Sequence, residues 1–207
     1  MGLIDTFNRV LNLGFRLYRP FSHIGTVGFR AMRPDGTVGF VTAAHILTTH
    51  QQFIYNYWSP FETHVGRLVN RSQDFRLNTI LDAVFFTAHN NITLTNWLPN
   101  FLSLSPTVAA GFLPNQPIMA AGSRTGGTQI GHVIATGQER RMTLYDGRVV
   151  TIHNLVQTNL PNQQGDSGGT VFTMALFTAG IIVMGNNNAM YFTPADIILR
   201  QLNVSRY

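Results

Sequence analysis

A Gly-Asp-Ser-Gly-Gly run at residues 165–169 limits the folds open to this chain more than any other feature. Glycines on both sides of Ser167 allow a tight turn whose backbone N–H groups face a bound carbonyl. A serine hydroxyl becomes a good nucleophile when a base takes its proton and such N–H groups stabilise the oxyanion. The run is therefore typical of a nucleophilic serine. An ordinary loop could also contain it, so the rest of the chain has to supply a base.

A candidate base and a candidate orienting acid occur earlier in the chain. His45 ends the sequence Thr-Ala-Ala-His, directly after an apolar, strand-like run at 38–41. Asp82 opens the apolar run 82–86, where burial of a carboxylate is costly unless a donor hydrogen-bonds it. The Nδ1–H of a histidine is a suitable donor, and this bond would fix the tautomer that presents Nε2 to the serine. The chain order of this triad is His45, Asp82, Ser167.

Two alternative interpretations of these residues are weaker. Asp74 is a competing orienting acid, but the polar residues around it predict an exposed loop, and we favour Asp82. The seven histidines raise the question of a metal site. His45 and His50 are five residues apart, off the i,i+4 spacing of two ligands on one helix face, and no acidic cluster accompanies them. The sequence therefore predicts no metal and no cofactor.

The order of the three motifs carries a family resemblance. His-then-Asp-then-Ser is the order of chymotrypsin-type double β-barrels, whereas subtilisin-type and α/β-hydrolase enzymes use other orders. In these motifs the chain resembles the chymotrypsin-fold serine peptidases, and its second half is similar to their bacterial streptogrisin and α-lytic branch. The similar region runs from about residue 122 to 199 and includes the sequences at 122–127, 131–133, 156–159, 179–185 and 190–194. The first half matches mainly through 27–29 and the His45 and Asp82 motifs.

The resemblance implies an all-β fold of two antiparallel six-stranded β-barrels with a short C-terminal helix. Short apolar runs separated by turn residues fit this expectation. The expected parts are a first barrel at 23–100 with His45 and Asp82, a linker at 101–117, a second barrel at 118–193 with Ser167, and a C-terminal helix at 194–207. Thr193 suits the N-cap of that helix and Pro194 its first position.

Residues 1–22 form a separate N-terminal segment. Leu3, Ile4, Phe7, Val10 and Leu11 recur at helical spacing, which predicts a short amphipathic helix that Gly14 could end. Residues 1–6 also fit the N-myristoylation pattern, so membrane association through residues 1–20 stays open beside a helix packed on the barrel or a frayed leader. A single acyl chain would hold a membrane only marginally. No signal-peptide pattern is visible, which leaves the location of the protein open.

Composition agrees with one catalytic unit and argues against other classes. A chain of 207 residues that is 44% hydrophobic can bury a substantial core. The net charge is +5 and every cation is arginine, but the arginines are scattered and only Arg140 and Arg141 are adjacent, so nucleic acid is not an expected partner. The chain has no cysteine, unlike most secreted bacterial relatives, which permits a reducing compartment.

The resemblance also implies roles for residues around Ser167. The backbone N–H groups of Gly165 and Ser167 would form the oxyanion hole. Asp166 would shape that loop through a buried ion pair with an internal arginine, and Arg124, about three residues out of register with the family's arginine, is the candidate. The expected substrate pocket consists of Gln164, Ile182, Val183, Met184, Gly185 and Phe192. It contains no carboxylate and no histidine at Ile182, so an apolar or aromatic residue before the scissile bond (P1) is expected rather than a basic or glutamyl one.

The predicted activity is that of a serine endopeptidase acting on polypeptides through an acyl-enzyme. Two departures from the family pattern are expected to lower activity without abolishing it. Val183 replaces a serine whose hydroxyl helps to hold the catalytic aspartate, and Met184 replaces a glycine that leaves room for substrate. These departures keep one alternative open, a pseudoprotease that binds without turnover. The lack of cysteines and of a visible signal peptide supports another, a viral or intracellular processing protease that cleaves few sites.

Overall fold

The computed structural model describes residues 9–19, 22–47, 52–58, 61–77, 80–98, 100 and 102–207. The first half of the chain contains ten strands and one short helix in these ranges: β1 (Arg9–Leu11), β2 (Arg16–Arg19), β3 (Ser22–Thr26), β4 (Phe29–Met32), β5 (Val38–Thr42), β6 (Phe53–Trp58), β7 (Phe61–Arg67), α1 (Arg71–Asp74), β8 (Phe75–Leu77), β9 (Asp82–Ala88) and β10 (Ile92–Leu94).

The first barrel is closed by a bent strand. Its strands are hydrogen-bonded in the order β3-β2-β6-β7-β9-β5-β4, with β8 added to β9. Only Val27 and Gly28 separate β3 from β4, so β3 and β4 act as one kinked strand. Counted in this way, six strands surround the core. Strand β9 is buried on both faces: Phe86 stacks on Phe40 inside the barrel, while Phe85 packs in a second cluster that includes the C-terminal helix.

The second barrel contains the remaining elements, β11 (Ser105–Val108), β12 (Pro117–Ala121), β13 (Gln129–Thr143), β14 (Val149–Thr158), β15 (Thr170–Thr173), β16 (Phe177–Asn186), β17 (Ala189–Pro194) and α2 (Ala195–Leu202). Strands β12, β13, β14, β17, β16 and β15 form a closed antiparallel ring of six, and β11 adds to β16 in parallel. Helix α2 buries Ile198 and Leu202 against the first barrel. The predicted two-barrel all-β fold with a C-terminal helix is thus confirmed.

The N-terminal prediction is wrong for the part of the segment that the structure describes. Leu3, Ile4 and Phe7 lie outside the described residues. Val10 and Leu11 belong to strand β1, which pairs in parallel with β10, and the Leu11 side chain is fully buried. Pairing with the edge of β10 and burial of Leu11 stabilise a strand here, and these tertiary contacts override the helical spacing of the apolar residues. Strand β2 is part of the first barrel although it lies before residue 23, where the barrel was expected to begin. No helix among the described residues is long and apolar enough to span a membrane.

The two barrels meet closely at the kink between β3 and β4. The N–H of Thr26 donates to the Ser167 carbonyl at 2.9 Å, so the serine loop of the second barrel is bonded to the first. A Cβ atom on Gly28 would lie 2.6 Å from the carbonyl oxygens of Gly168 and Val41. This approach requires a glycine, and it places the serine loop beside the residues that follow β5.

Candidate active site

His45 and Asp82 come together because their strands are neighbours. Strand β5 pairs with β9, and His45 lies in the short 3-10 turn Ala44–Ile46 that follows β5, while Asp82 begins β9. The buried Asp82 carboxylate accepts the main-chain N–H of His45 at 2.8 Å and contacts the ring Nδ1 at 2.5 Å. The ring is thereby held with Nε2 directed away from the carboxylate.

Ser167 completes the arrangement from the other barrel. Its Oγ lies 3.0 Å from the Nε2 of His45 and 3.3 Å from the carbonyl oxygen of Val183. The His45 side chain is 16% exposed and lines an open cavity, so a ligand can reach Ser167. The Asp82 carboxylate is fully buried and shielded from solvent. The structure therefore brings the three predicted triad residues into one hydrogen-bonded chain.

The loop before Ser167 is a tight turn closed by hydrogen bonds. The N–H of Asp166 donates to the Gln163 carbonyl at 3.0 Å, and Gly165 has φ +105°, as the third residue of a type II turn requires. Thr26, fully buried, donates its hydroxyl to the Gly165 carbonyl at 2.7 Å. Among the described contacts, neither the Gly165 nor the Ser167 N–H donates to a protein acceptor. Both remain available for a ligand oxygen.

Asp166 is held differently from the expectation. One carboxylate oxygen accepts the main-chain N–H groups of Arg124 at 2.7 Å and Thr125 at 3.1 Å, and the other accepts that of Gln163 at 2.9 Å. The predicted ion pair with the Arg124 guanidinium is wrong, because the exposed side chain of Arg124 makes no such contact. Backbone N–H dipoles from the turn stabilise the buried charge instead.

Asp74 is also not where its polar neighbours predict. It is fully buried, forms an ion pair with Arg33, and accepts the Asn70 N–H at 2.9 Å. The expectation of an exposed loop is therefore wrong. The carboxylate serves the packing of α1 on the first barrel, and the contact with His45 belongs to Asp82.

A cavity of about 370 Å³ opens beside His45 and Ser167. Four of the expected pocket residues line it, namely Gln164, Val183, Met184 and Gly185. Ile182 and Phe192 do not. Both are core residues, with Ile182 2% exposed and the Phe192 ring packed edge-on against Phe112 at 5.2 Å. Both side chains belong to the apolar core of the second barrel, and the pairing register of β16 with β17 shifts just after Ile182.

Sequence reasoning missed one whole wall of this cavity. The β13–β14 hairpin is long, and its tip contributes Met142, Thr143, Leu144 and Tyr145. The base of the hairpin packs on Val183 through Ile152 and Leu155, which fixes the tip over the cavity. An Asp-Gly pair, as at Asp146-Gly147, is typical of a hairpin turn, but nothing in the local sequence shows that this hairpin reaches back to His45.

Strand β16 offers a free edge next to this cavity. It pairs with β15 as far as Ile181 and with β17 as far as Asn186. Within the described residues, the stretch 183–185 therefore has a strand on one side only. An exposed edge of this kind can accept an additional extended chain.

The described part of the chain contains no group of three or more His, Asp or Glu residues arranged to hold a metal ion.

Solved structures of bacterial serine proteases have this fold. A Nocardiopsis protease is 24% identical, with a TM-score of 0.70 over 95% of this chain and 98% of that chain. A glutamic acid specific serine protease is 21% identical, with a TM-score of 0.74 over 95% of this chain and 100% of that chain. An α-lytic protease homologue is 19% identical, with a TM-score of 0.74 over 95% of this chain and 98% of that chain.

The comparison confirms the resemblance to the streptogrisin and α-lytic branch in its fold. The class that the architecture defines is the chymotrypsin-type double β-barrel. No protein family model and no curated protein sequence matches the chain.

Proposed function

We propose that this protein is a serine endopeptidase that hydrolyses peptide bonds through an acyl-enzyme. The observation that carries the proposal is the hydrogen-bonded chain from the buried Asp82 through His45 to Ser167, with 3.0 Å between Nε2 and Oγ. A nucleophile within hydrogen-bond reach of a base, and a base oriented by a third group, is the arrangement that activates a serine. The free N–H groups of Gly165 and Ser167 support the same chemistry.

The acylation step uses each of these groups once. The Ser167 Oγ attacks the carbonyl carbon of the substrate as its proton passes to the Nε2 of His45. Asp82 stays ionised and stabilises the imidazolium through Nδ1–H, and the N–H groups of Gly165 and Ser167 bind the oxyanion. His45 then gives the proton to the leaving amine as the C–N bond breaks. Water then attacks the acyl carbon as its proton passes to His45, and the bond to the Ser167 Oγ breaks as His45 returns this proton to Oγ, which releases the acid product.

The substrate is a polypeptide bound as an added strand. Residues 183–185 have a free edge beside Ser167, and an extended peptide that pairs with this edge gains main-chain hydrogen bonds irrespective of its sequence. Its P1 side chain would enter the cavity of about 370 Å³. Specificity would then come from the residues that line the cavity.

The cavity favours an apolar or aromatic P1 side chain. Its lining contains no carboxylate and no arginine, so a charged P1 residue would lose hydration without gaining an ion pair. Met142, Leu144, Val183 and Met184 supply apolar surface. We therefore expect Leu, Met or Phe at P1 to be cleaved faster than Arg, Lys or Glu.

The hairpin tip over the cavity favours a second candidate function, that of an endopeptidase with a narrow range of substrates. Because residues 142–145 cover one side of the substrate site, only segments that fit beneath the tip would be cleaved, as in a processing protease. A casein digestion separates the two forms. A broad endopeptidase degrades casein to small peptides, whereas a processing enzyme leaves it largely intact and still cleaves short peptides that fit.

Turnover of a P1-varied fluorogenic peptide library tests the proposal. The wild type is expected to cleave peptides with an apolar P1 residue, with an amine product and an acid product in equal amounts. Ser167→Ala serves as the matched control and should show no turnover. A wild type that binds these peptides without cleaving them would support the pseudoprotease alternative and contradict the proposal.

A further inference from the structure

We propose that a second, smaller cavity beside the active site is a substrate subsite for an acidic side chain that precedes the P1 residue. This inference rests on the proposed endopeptidase function and adds a substrate class to it. The cavity has a volume of about 140 Å³. It lies between the first barrel and the hairpin tip, away from the catalytic serine.

The position of the cavity links it to the substrate path. One wall is formed by Leu47, two residues after His45, with Phe75 and Leu77 of β8. The opposite wall is formed by Leu144 and Tyr145, which also line the larger cavity. The two cavities therefore adjoin at the hairpin tip. A peptide whose P1 side chain occupies the larger cavity passes directly beside the smaller one.

The charges in the smaller cavity are unbalanced. Arg71 of α1 and Arg148 of the β13–β14 hairpin both line it, and Asp146 is the single carboxylate among its described lining residues. Asp146 is already engaged, since its carboxylate accepts the Nε–H of Arg148 at 2.8 Å. Arg71 stacks over the Phe75 ring at 4.2 Å, and no described carboxylate pairs with it. Within the part of the chain that the structure describes, one guanidinium is thus left without a counter-ion beside an apolar wall.

Two guanidinium groups that line one cavity repel each other. In agreement with this, burial and, to a smaller extent, the positive charge of Arg148 lower the pKa of Arg71. A carboxylate placed between them would remove this repulsion and offer a planar, two-oxygen partner to a guanidinium. The apolar walls formed by Leu47, Leu77 and Leu144 would pack on the methylenes of a glutamate side chain. Glutamate fits this combination better than a phosphate, which has no apolar stem.

Strand geometry indicates which substrate positions reach the cavity. Side chains of an extended peptide alternate between two faces. If the P1 side chain enters the larger cavity, side chains at P2 and P4 point to the opposite face, toward β8 and Arg71. The net charge of +5 would add a weaker, long-range attraction for acidic substrates.

A matched peptide series tests the inference. Fluorogenic peptides with one fixed apolar P1 residue carry either Glu or its neutral isostere Gln at P2, P3 or P4. We expect Glu to raise kcat/KM over Gln by about tenfold at P2 or P4 and not at P3. In Arg71→Gln this ratio should fall close to one, while turnover of the Gln peptides stays within about twofold of the wild type. Arg148→Gln should reduce the ratio in part.

Two controls make the result specific. Arg141→Gln removes an equally exposed hairpin arginine that lines neither cavity, and it should leave the Glu preference unchanged. The preference should also weaken as salt is raised from 50 to 500 mM, roughly as screening of partly exposed charges requires. A Glu-to-Gln ratio near one in the wild type overturns the inference, as does a ratio that survives Arg71→Gln.

Binding to Ser167→Ala separates this inference from the proposed function. The Glu and Gln peptides are titrated into this variant, with and without Arg71→Gln, by calorimetry. Tighter binding of the Glu peptide that depends on Arg71, together with absent turnover in the wild type, would retain the acidic subsite and reject the peptidase. Normal turnover with equal binding of both peptides would retain the peptidase and reject the subsite.

Discussion

The Asp82 carboxylate receives both of its described hydrogen bonds from His45, one from the main-chain N–H at 2.8 Å and one from the ring Nδ1 at 2.5 Å. The double contact to one residue therefore holds the orientation of the ring and the position of the acid together. It makes the His45–Asp82 pair the part of the site most sensitive to substitution.

Asp82→Asn is expected to reduce kcat by about 10⁴-fold with little loss of stability. The asparagine would keep the shape of the side chain, but it would favour the wrong imidazole tautomer and would not stabilise the imidazolium. Steady-state hydrolysis of the best apolar-P1 peptide measures this effect. Activity within tenfold of the wild type would show that Asp82 is not the orienting acid.

Asp74→Ala should lower the free energy of unfolding and leave kcat almost unchanged. Removing one partner of the buried Asp74–Arg33 pair leaves an uncompensated charge, which typically costs about 3–5 kcal/mol of unfolding free energy. Urea unfolding measures the loss, and activity per folded molecule should stay near that of the wild type. The matched control is Asp35→Ala, because Asp35 is exposed and bonds only to Thr37 nearby. A selective loss of kcat in Asp74→Ala would return Asp74 to the list of catalytic candidates.

Thr26→Val tests the support of the oxyanion loop. The Thr26 hydroxyl donates to the Gly165 carbonyl at 2.7 Å, and its loss leaves that buried carbonyl with a longer bond from Ser123. We expect the unfolding free energy to fall by about 1–3 kcal/mol and kcat to fall by about tenfold, with KM little changed. Thr26→Ser retains the hydroxyl and should behave almost as the wild type. Equal kcat values for the two variants would contradict this role.

Met184→Gly should broaden the P1 preference. Met184 lines the larger cavity, so removal of its side chain would make room for an aromatic ring. The ratio of kcat/KM for Phe over Leu at P1 is expected to rise by about tenfold, the scale of a few methylenes in an apolar pocket. A P1 profile that does not change would place the P1 side chain elsewhere.

His64 should contribute to the pH dependence of stability. Burial lowers the pKa of His64 below its ordinary value of 6.5, against a smaller opposing effect of its hydrogen bond to the Gly66 carbonyl. The folded state therefore binds a proton less readily than the unfolded state. Stability from the neutral ring is present above about pH 6.5 and is lost as the pH falls below it. The drop in Tm between pH 7.5 and pH 5 should be smaller in His64→Gln, and an equal drop would contradict this assignment.

The sequence predicted those features that depend on residue type and order. The order of the His45, Asp82 and Ser167 motifs carried the resemblance that implied a double barrel, and the apolar runs separated by turn residues agreed with it.

The errors concern features that depend on tertiary packing. The position of Arg124 in the turn brings its main chain, and not its guanidinium, to Asp166. Ile182 and Phe192 lie close in sequence to pocket residues but point into the core. Leu11 follows a helical spacing and pairs as a strand, because β10 offers an edge. The reach of the hairpin tip to His45 depends on the length and bend of two strands, which no short motif encodes.

Covalent labelling of Ser167 tests the central claim most directly. Intact-mass spectrometry of the protein after treatment with a fluorophosphonate should show one adduct, and peptide mapping should place it on Ser167. Ser167→Ala and His45→Ala, each verified as folded by circular dichroism, should remain unlabelled or label far more slowly. An unlabelled wild type of native fold, or an adduct on another residue, would contradict the account of His45, Asp82 and Ser167 as a working catalytic triad.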